Sequence, residues 1–345
     1  MSSAEVADPA VAEAPGGVET MTYREALRLA MRQELERDER VFVMGEEVGL
    51  FDGSYKVTAG LMEQFGPDRV RDTPISEEGF LGAGVGAAML GERPIVEIMT
   101  LNFLLVAMDQ VVNHAAKIGA MFGGEVRCPL VIRTPNGAGN QLTAQHSQSF
   151  DGWFAGTPGL KVVSPSTPAD AKGLLKAAIR DDDPVLVIEN LPIYKEKGEV
   201  PLDADLTTPI GLAAVAREGV DLTLVSHSFA TVRALRVAEK LAAERGVSVE
   251  VIDLRSLRPL DVETVAASVA KTNRALCVEE GWPTYGVTAE IAARIQHACF
   301  GDLDAPVERL GMAEVPLPYA KELELAAMPT EDRIESAVLS CLELA

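Results

Sequence analysis

The chain has 345 residues, of which 47% are hydrophobic, and its formal net charge is −21 at pH 7. This length is typical of two domains with apolar cores. The negative charge disfavours a nucleic-acid partner and would favour the docking of a basic protein. We find no signal peptide and no run of about 18 uncharged apolar residues, so we expect neither secretion nor a membrane partner.

The cysteines and the first residues add two further expectations. Four cysteines are scattered along the chain without a Cys-x-x-Cys spacing: Cys128, Cys277, Cys299 and Cys341. This pattern disfavours a zinc site or a redox pair and favours a reducing, cytoplasmic location. Residues 1–20 contain four acids, no base and much Ala, Pro and Gly, which predicts a disordered acidic tail.

Strand-like and helix-like segments alternate from residue 21 to residue 195. Thr22 and Glu25 form a predicted capping box for a helix at 23–37, and Thr167-Pro168 opens a helix that ends near residue 180. An amphipathic helix is predicted at 102–118. The predicted strands are 41–44, 94–98, 129–133, 161–164 and 185–189. Such alternation predicts a mostly parallel sheet covered by helices.

The alternation lapses where prolines and glycines interrupt a polar stretch, and we predict a linker at 196–210. A second α/β unit follows at 211–345. Its predicted strands are 222–226, 249–253, 275–279 and a short one near Val307, and its predicted helices are 230–244, 261–271, 287–298 and 331–344. Ligands of doubly wound folds bind at the carboxyl ends of parallel strands, so we expect the site there.

Glu77 is the first candidate for chemistry. It lies in Asp72-Thr-Pro-Ile-Ser-Glu-Glu-Gly-Phe80, which runs into a segment of small and apolar residues at 81–91. Small residues at four-residue spacing predict that another backbone approaches this segment closely. A carboxylate beside such a dry surface either meets a hydrogen-bond donor or faces solvent. The alternative role is a first-turn acid stabilised by the helix dipole.

Three further segments could carry function. Phe103 follows the strand at 94–98, where its ring can stack on a ligand or fill the core. His146 lies in a polar, glycine-rich loop after the strand at 129–133, and is either a proton shuttle or an exposed residue without a role. The three acids at 181–183 follow a predicted helix end, where oxygen ligands can hold a hard cation or simply face water.

Several ordered segments carry a family resemblance that runs from Thr22 to the C-terminus. They include Asp72-Thr-Pro-Ile-Ser-Glu77, Gln145-His-Ser-Gln148, Gly159-Leu-Lys-Val-Val-Ser-Pro165 and Pro318-Tyr-Ala-Lys321. The chain resembles the β chains of the thiamine-diphosphate-dependent 2-oxo acid dehydrogenases, and most closely the pyruvate dehydrogenase β chains. The resemblance implies an α/β fold with a transketolase-like pyrimidine-binding domain at 21–195 and a transketolase C-terminal-type domain at 211–345.

The resemblance also implies roles for individual residues. Glu77 matches the glutamate that hydrogen-bonds the aminopyrimidine of thiamine diphosphate, while Phe103, Ile75 and Met99 match residues that line the cofactor. His146 matches a loop histidine associated with reductive acylation of the lipoyl group. A potassium ion, held mainly by backbone carbonyls, is implied at Leu130, Ala178, Ile179, Asp181 and Asp183. Asp183 departs from the asparagine that is frequent at this position in the family.

The implied partners follow from the same family. An α subunit in an α2β2 heterotetramer would supply the diphosphate and magnesium ligands, since this chain has no Gly-Asp-Gly motif. The subunit-binding and lipoyl domains of a dihydrolipoyl acyltransferase are the further partners, and the implied reaction is pyruvate decarboxylation with lipoyl acetylation. The alternatives are a β subunit of acetoin dehydrogenase or of branched-chain 2-oxo acid dehydrogenase. A non-catalytic assembly subunit is disfavoured because Glu77, Phe103 and His146 occur together.

Overall fold

Two α/β units make up the structure, a computed structural model that describes residues 16–343. The strands of the first unit are β1 (Val18–Thr22), β2 (Val41–Gly45), β3 (Val70–Asp72), β4 (Arg93–Glu97), β5 (Val131–Asn136), β6 (Lys161–Val163), β7 (Val185–Asn190) and β8 (Lys197–Pro201). Its α-helices are α1 (Tyr23–Arg37), α2 (Leu61–Phe65), α3 (Glu77–Met89), α4 (Ala116–Met121), α5 (Asp151–Ala155) and α6 (Pro168–Arg180). Short 3-10 helices lie at Phe103–Leu105 and Leu191–Lys195, and Gln110–Ala115 is π-helical.

The second unit repeats the alternation on a smaller sheet. Its strands are β9 (Ala214–Arg217), β10 (Leu222–Ser226), β11 (Val249–Asp253), β12 (Ser256–Arg258), β13 (Ala275–Val278) and β14 (Glu308–Leu310). Its helices are α7 (Ser228–Arg245), α8 (Val262–Thr272), α9 (Val287–Ala298), α10 (Lys321–Ala327) and α11 (Glu331–Cys341). Within residues 16–343, no helix is both long and apolar enough to cross a membrane.

Both large sheets are mostly parallel. The first has seven strands in the order β12-β6-β7-β5-β4-β2-β3, and the second has five in the order β14-β13-β10-β11-β9. Antiparallel strands occur only at an edge of each sheet: β12 pairs with β6, and β9 pairs with β11. Along the chain, β12 lies between β11 and α8 of the second unit. The second unit therefore contributes an edge strand to the first sheet.

Local sequence signals correctly located several elements. Thr22 and Glu25 form both halves of the capping box at the start of α1, and Thr167 caps α6 with Pro168 in the first turn. The predicted ranges for β10, β11 and α9 match the structure. The caps of α1 and α6 are made by residues within the first turn, so these two helix starts are encoded locally.

Three predictions about elements need correction. The predicted helix at 102–118 is a 3-10 turn followed by π-helical and α-helical segments. Buried Leu101, Leu104 and Ala107 recur every three residues, a spacing that suits a 3-10 turn as well as an α-helix. The predicted linker contains β8, which pairs antiparallel with β1. Val18 to Thr20 therefore lie in a strand and not in a disordered tail, and residues 1–15 of that tail lie outside the described residues.

Close packing of α3 on the first sheet explains its small residues. A Cβ atom at Gly84 would lie 2.6 Å from Val96 Cγ2 of β4, whereas one at Gly86 would meet nothing within 4 Å. The predicted close approach therefore occurs against the sheet and on the Gly84 face. This packing fixes the start of α3, and with it Glu77, against the ends of the strands.

Candidate active site

The candidate residues gather at the carboxyl edge of the first sheet. The strands β3, β2, β4 and β5 are parallel neighbours in that order. Their carboxyl ends therefore lie side by side, and the segment after each one carries polar or aromatic candidates. Ile75 and Glu77 follow β3, Glu46 follows β2, Met99 and Phe103 follow β4, and His146 follows β5.

Glu77 is the first residue of α3, and only 8% of its surface is exposed. In the part of the chain that the structure describes, no protein group donates a hydrogen bond to its carboxylate. Glu77 is therefore a first-turn acid, a position where the helix dipole favours a negative charge. The dipole leaves the carboxylate with acceptor capacity for a ligand donor.

A second buried carboxyl group, Glu46, lies beside Glu77. Glu46 directly follows β2 and is 6% exposed, and its Oε1 atom has no hydrogen-bond partner among the described residues. Burial raises the pKa of Glu46, and the neighbouring charge of Glu77 raises it further. Glu46 is not among the site residues predicted from the sequence, although its place after a buried strand was a usable signal.

A buried network of ion pairs connects the strands whose carboxyl ends carry the candidate residues. Arg133 of β5 donates two hydrogen bonds to Glu189 (2.6 and 2.5 Å) and a third to Glu97, and the Tyr194 hydroxyl donates to Glu189. All four side chains are buried. Burial raises the pKa of Glu97, and the Arg133 charge opposes this shift. The network joins β4, β5 and β7 and so fixes the strand ends that carry the candidates.

Phe103 and His146 contact each other directly. Their ring centroids are 5.1 Å apart and their planes meet at 88°, an edge-to-face arrangement. The neighbour of Phe103, Asn102, uses its side-chain oxygen to accept hydrogen bonds from the backbone and side chain of Gln148 (3.2 and 3.1 Å). The segments after β4 and β5 are therefore tied together, and both rings are half-buried at the site.

The two ends of the His146 loop meet at Asn136. Its side-chain oxygen accepts hydrogen bonds from the Gly137 amide (2.6 Å) and the Ser149 hydroxyl (3.1 Å). Its side-chain nitrogen donates to Asp151 (2.9 Å), and burial raises the pKa of Asp151 to about 6. These bonds close residues 137–149 into a loop above the sheet.

The outer rim of the site is apolar and exposed. Ile75 is 85% exposed and Leu50 86%, and Phe51 lies next to Leu50. Arg24 and Arg28 of α1 hold the loop after β2, because their guanidinium groups donate to backbone carbonyls of residues 55–57. Large apolar side chains on an ordered rim are typical of a surface that another protein covers.

The residues predicted to bind potassium lie elsewhere. Leu130 precedes β5, and its carbonyl accepts a hydrogen bond from Val185 at the start of β7, so this region is the amino edge of the sheet. The amide of Asp181 donates to the Ala178 carbonyl (3.3 Å), and the amide of Asp183 donates to the Asp181 carboxylate (2.9 Å). All five predicted ligands, including Ile179, thus belong to one region, remote from the edge that carries Glu77.

Basic side chains already surround that turn. Arg93 donates to the carbonyls of Ile179 (2.9 Å) and Asp181 (3.0 Å), and Lys161 lies 2.7 Å from the Asp181 carboxylate. Arg127 pairs with Asp183 at 3.1 Å. A cation at this place would depend on the second lone pairs of the carbonyls, because the carboxylates are balanced. Among the described residues, no group of three His, Cys, Asp or Glu side chains is arranged to hold a metal ion.

Comparison with family models assigns both units. A model described as "Transketolase, pyrimidine binding domain" matches residues 19–196. A second, described as "Transketolase, C-terminal domain", matches residues 211–334. Together they cover most of the chain. The first match contains all residues of the candidate site at the carboxyl edge of the first sheet.

Curated relatives are similar over nearly the whole chain. "Pyruvate dehydrogenase E1 component subunit beta-1, mitochondrial" of Arabidopsis thaliana is 51% identical over 94% of this chain and 90% of its own length. "Pyruvate dehydrogenase E1 component subunit beta" of Rhizobium meliloti (strain 1021) is 51% identical over 96% of this chain and 72% of its own length. "Pyruvate dehydrogenase E1 component subunit beta, mitochondrial" of Bos taurus is 50% identical over 94% of this chain and 91% of its own length.

A solved structure supports the fold assignment independently. The chain described as "Split gene transketolase, inactive beta4 tetramer" superposes with a TM-score of 0.74, covering 94% of this chain and 99% of its own. The two sequences are 21% identical, so the likeness concerns the fold alone. The expected transketolase-like, two-domain α/β architecture is confirmed.

Proposed function

Because the chain belongs to the family of pyruvate dehydrogenase E1 component β subunits, we propose that it acts with an α subunit to decarboxylate pyruvate. In the same catalytic cycle, the acetyl group passes to the lipoyl group of a dihydrolipoyl acyltransferase. The observation that carries the proposal is the buried carboxylate of Glu77, which has no protein donor among residues 16–343 and lies within the match to the pyrimidine-binding domain. A ligand nitrogen that donates a hydrogen bond there would satisfy this carboxylate.

The residues at the carboxyl edge suit thiamine diphosphate. When bound, this cofactor supplies the carbon nucleophile and the electron sink that decarboxylation of a 2-oxo acid requires. Glu77 would accept a hydrogen bond from the aminopyrimidine and hold its reactive tautomer. Phe103, Ile75 and Met99 would contact its apolar parts. Exclusion of water from this edge strengthens the hydrogen bond to Glu77.

His146 is proposed to act when the acyl group is transferred. A half-buried imidazole can accept or donate a proton in a reaction, and the edge-to-face contact with Phe103 limits rotation of the His146 ring. His146 lies in the segment after β5, at the carboxyl edge of the first sheet, where a lipoyl group on another protein would have to reach the bound cofactor. Replacement of His146 by Ala should therefore impair lipoyl acetylation more than decarboxylation.

The α subunit is proposed to complete the cofactor site in an α2β2 heterotetramer. This chain has no Gly-Asp-Gly motif, so the diphosphate and its magnesium ion would be held by the partner. The exposed rim residues Leu50, Phe51 and Ile75 supply an apolar surface for that contact. The net charge of −21 suits docking of a basic subunit-binding domain of the acyltransferase by electrostatic attraction.

Potassium binding is proposed at the carbonyls near the end of α6. The ligands would be Leu130, Ala178, Ile179, Asp181 and Asp183, with the ion sharing carbonyls that already accept protein hydrogen bonds. Potassium should raise the melting temperature relative to tetramethylammonium at equal ionic strength. An unchanged melting temperature would remove the ion from the proposal and leave the catalytic assignment intact.

A reducing, cytoplasmic location is also proposed. The four cysteines are unpaired in the structure, and burial raises the pKa values of the Cys128 and Cys341 thiols to about 12 and about 11. Such thiols are unreactive, which suits a compartment where no disulfides form.

Activity of the reconstituted complex tests the main proposal. The chain would be co-expressed with its α subunit, and ferricyanide-coupled turnover would be measured with pyruvate, a branched 2-oxo acid and acetoin. Each substrate would be tested with and without thiamine diphosphate and magnesium. We expect cofactor-dependent turnover that is selective for pyruvate. Preference for another substrate would reassign the substrate, and no turnover by a verified heterotetramer would contradict the catalytic role.

A further inference from the structure

The loop that carries His146 is held by a carboxylate from the other unit. Glu324 lies on α10, and its two oxygens accept hydrogen bonds from the backbone amides of Gly139 (Oε1, 2.9 Å) and Gln141 (Oε2, 3.1 Å). Only 1% of its surface is exposed. The bonds span more than 180 positions in sequence and connect the second unit directly to the candidate active site.

The held segment has an unusual backbone. Gly137, Gly139, Gln141 and Thr143 all have positive φ angles, of 108°, 94°, 54° and 66°. Gln141 and Thr143 have side chains, so this conformation is unfavourable for them and persists only when surrounding contacts impose it. The amide of Gln141 is one of the two that Glu324 binds. The carboxylate therefore acts at the strained turn that leads to His146.

The burial of Glu324 has no other explanation among the described residues. No Lys, Arg or His in residues 16–343 forms an ion pair with it, and its hydrogen-bond partners are the two loop amides. A buried carboxylate without a counter-ion is costly unless several donors satisfy it. Two charge-assisted hydrogen bonds from backbone amides meet that requirement.

Apolar contacts near Glu324 also hold the 137–149 loop against the second unit. Ala138 of the loop packs in a buried cluster with Ala327 and Met328, which follow Glu324 along the chain. A Cβ atom at Gly139 would lie 3.4 Å from the Met328 side chain. These apolar side chains shield the Glu324 side of the two hydrogen bonds, which are partly buried.

We propose that Glu324 is a positioning residue that holds the 137–149 loop so that His146 faces Phe103 in the active site. One end of the reactive segment is fixed by Glu324 at Gly139 and Gln141, and the other by Asn102 at Gln148. His146 lies between these two tethers. The inference rests on the proposed role of His146 in acyl transfer, and it assigns the second unit a part in that step.

Glu324→Gln in the α2β2 complex is the central test. The amide keeps the size of the side chain but loses its charge, and its NH2 group faces one of the two loop amides as a second donor. Glu322→Gln is the matched control, since Glu322 is an exposed acid on the same helix. Three quantities would be measured: acetylation of a recombinant lipoyl domain, ferricyanide-coupled decarboxylation of pyruvate, and hydrogen–deuterium exchange of peptides from 137–149.

We expect Glu324→Gln to lower lipoyl acetylation roughly tenfold while decarboxylation stays within about twofold, because a small displacement of a reacting group is costly. Exchange of the loop amides should rise, and Glu322→Gln should change none of the three quantities. Added to His146→Ala, the Glu324→Gln change should cause no further loss of acetylation, since residues that act as a unit are not additive.

Several outcomes would overturn the inference. Unprotected amides at Gly139 and Gln141 in the wild-type complex would mean that the hydrogen bonds are not made, and this result needs no variant. Equal loss of both half-reactions in Glu324→Gln, or loss of acetylation without faster loop exchange, would also reject it. If His146 has no role in acyl transfer, His146→Ala alone will leave acetylation at the wild-type rate. The exchange data would still test whether Glu324 holds the loop.

Discussion

The two sheets place buried carboxylates at the carboxyl ends of their strands, but they treat these groups differently. In the second unit Glu279 follows β13, and its oxygens accept hydrogen bonds from the amides of Val287 and Thr288 (both 3.0 Å) and from the Thr288 hydroxyl. In the first unit Glu77 and Glu46 follow β3 and β2, and among the described residues no group donates a hydrogen bond to the Glu77 carboxylate or to Oε1 of Glu46. Burial of an acid alone does not indicate function.

The difference reflects what each carboxylate stabilises. Glu279 binds the start of α9, so its charge offsets the free amides of a helix N-terminus and holds the second unit together. Glu77 is the first residue of its own helix, and among the described residues no protein group donates a hydrogen bond to its carboxylate. The carboxylate of Glu279 therefore contributes to folding through hydrogen bonds that Glu77 does not make.

Glu77→Gln should give the largest effect. The amide keeps the shape of the side chain but cannot accept a charge-assisted hydrogen bond, so turnover of pyruvate by the complex should fall by about 100-fold or more. The melting temperature should stay close to that of the wild type. Glu78→Gln, on the exposed neighbour, is the control and should retain activity. Turnover of Glu77→Gln within about twofold of wild type would remove Glu77 from the site.

Glu279→Ala should affect stability instead. The amides of Val287 and Thr288 would lose their acceptor, at a cost of about 3 kcal/mol in the free energy of unfolding. Calorimetric melting of the complex would measure the loss. Glu290→Ala on the same helix removes only an exposed pair with Arg294 and should cost less than about 1 kcal/mol. A similar loss of stability in Glu77→Gln and Glu279→Ala would contradict the different roles assigned to these two carboxylates.

The pH dependence of stability should reflect Asp253, at the end of β11. Burial and the nearby Asp170 charge raise its pKa to about 7 in the folded chain, whereas the unfolded value is about 3.9. The folded state thus favours the protonated acid. Its stabilising contribution is complete below the unfolded pKa and is lost as pH rises through the folded pKa.

Asp253→Asn should accordingly flatten the decline of the melting temperature between about pH 5 and pH 8. Melting curves of the complex across this range would measure the effect. Asp302→Asn changes an exposed acid of the second unit and should keep the wild-type profile. Parallel profiles for Asp253→Asn and wild type would show that Asp253 is ionised throughout the range.

Phe103→Leu should give the smallest effect. The edge-to-face contact with His146 contributes about 0.5–1.5 kcal/mol in comparable aromatic pairs, so acetylation of a lipoyl domain should slow by roughly two- to tenfold. The control is Phe300→Leu, which changes an exposed ring in the second unit. An unchanged acetylation rate in Phe103→Leu would mean that the ring does not orient His146.

The sequence predicted most of what is encoded locally. The capping box of α1, the Thr167-Pro168 start of α6 and the strands β10 and β11 depend on neighbouring residues, and they occur as predicted. The family architecture was also predicted, through the ordered motifs. Pairing of β1 with β8 was missed, because its partners are about 180 residues apart and neither strand is strongly apolar.

The candidate site was predictable only in part. Glu77, Phe103 and His146 were identified from motifs, and the structure places all three at one edge of the sheet. Glu46 was overlooked despite its place after a strand. Glu324 looks like an ordinary acid in a helix, since only the packing of the two units reveals that its carboxylate binds the His146 loop. Long-range contacts of this kind leave no local pattern.

The strand β12 has a mechanical consequence. Ser256 and Arg258 pair with β6, so backbone hydrogen bonds of the first sheet run into the second unit. The two halves are interlocked and cannot swing apart about a hinge without rupturing a sheet. Removal of the second unit would leave β6 as an unpaired edge strand prone to aggregation. Small molecules therefore have to reach the carboxyl edge of the first sheet past its loops and not through separation of the two units.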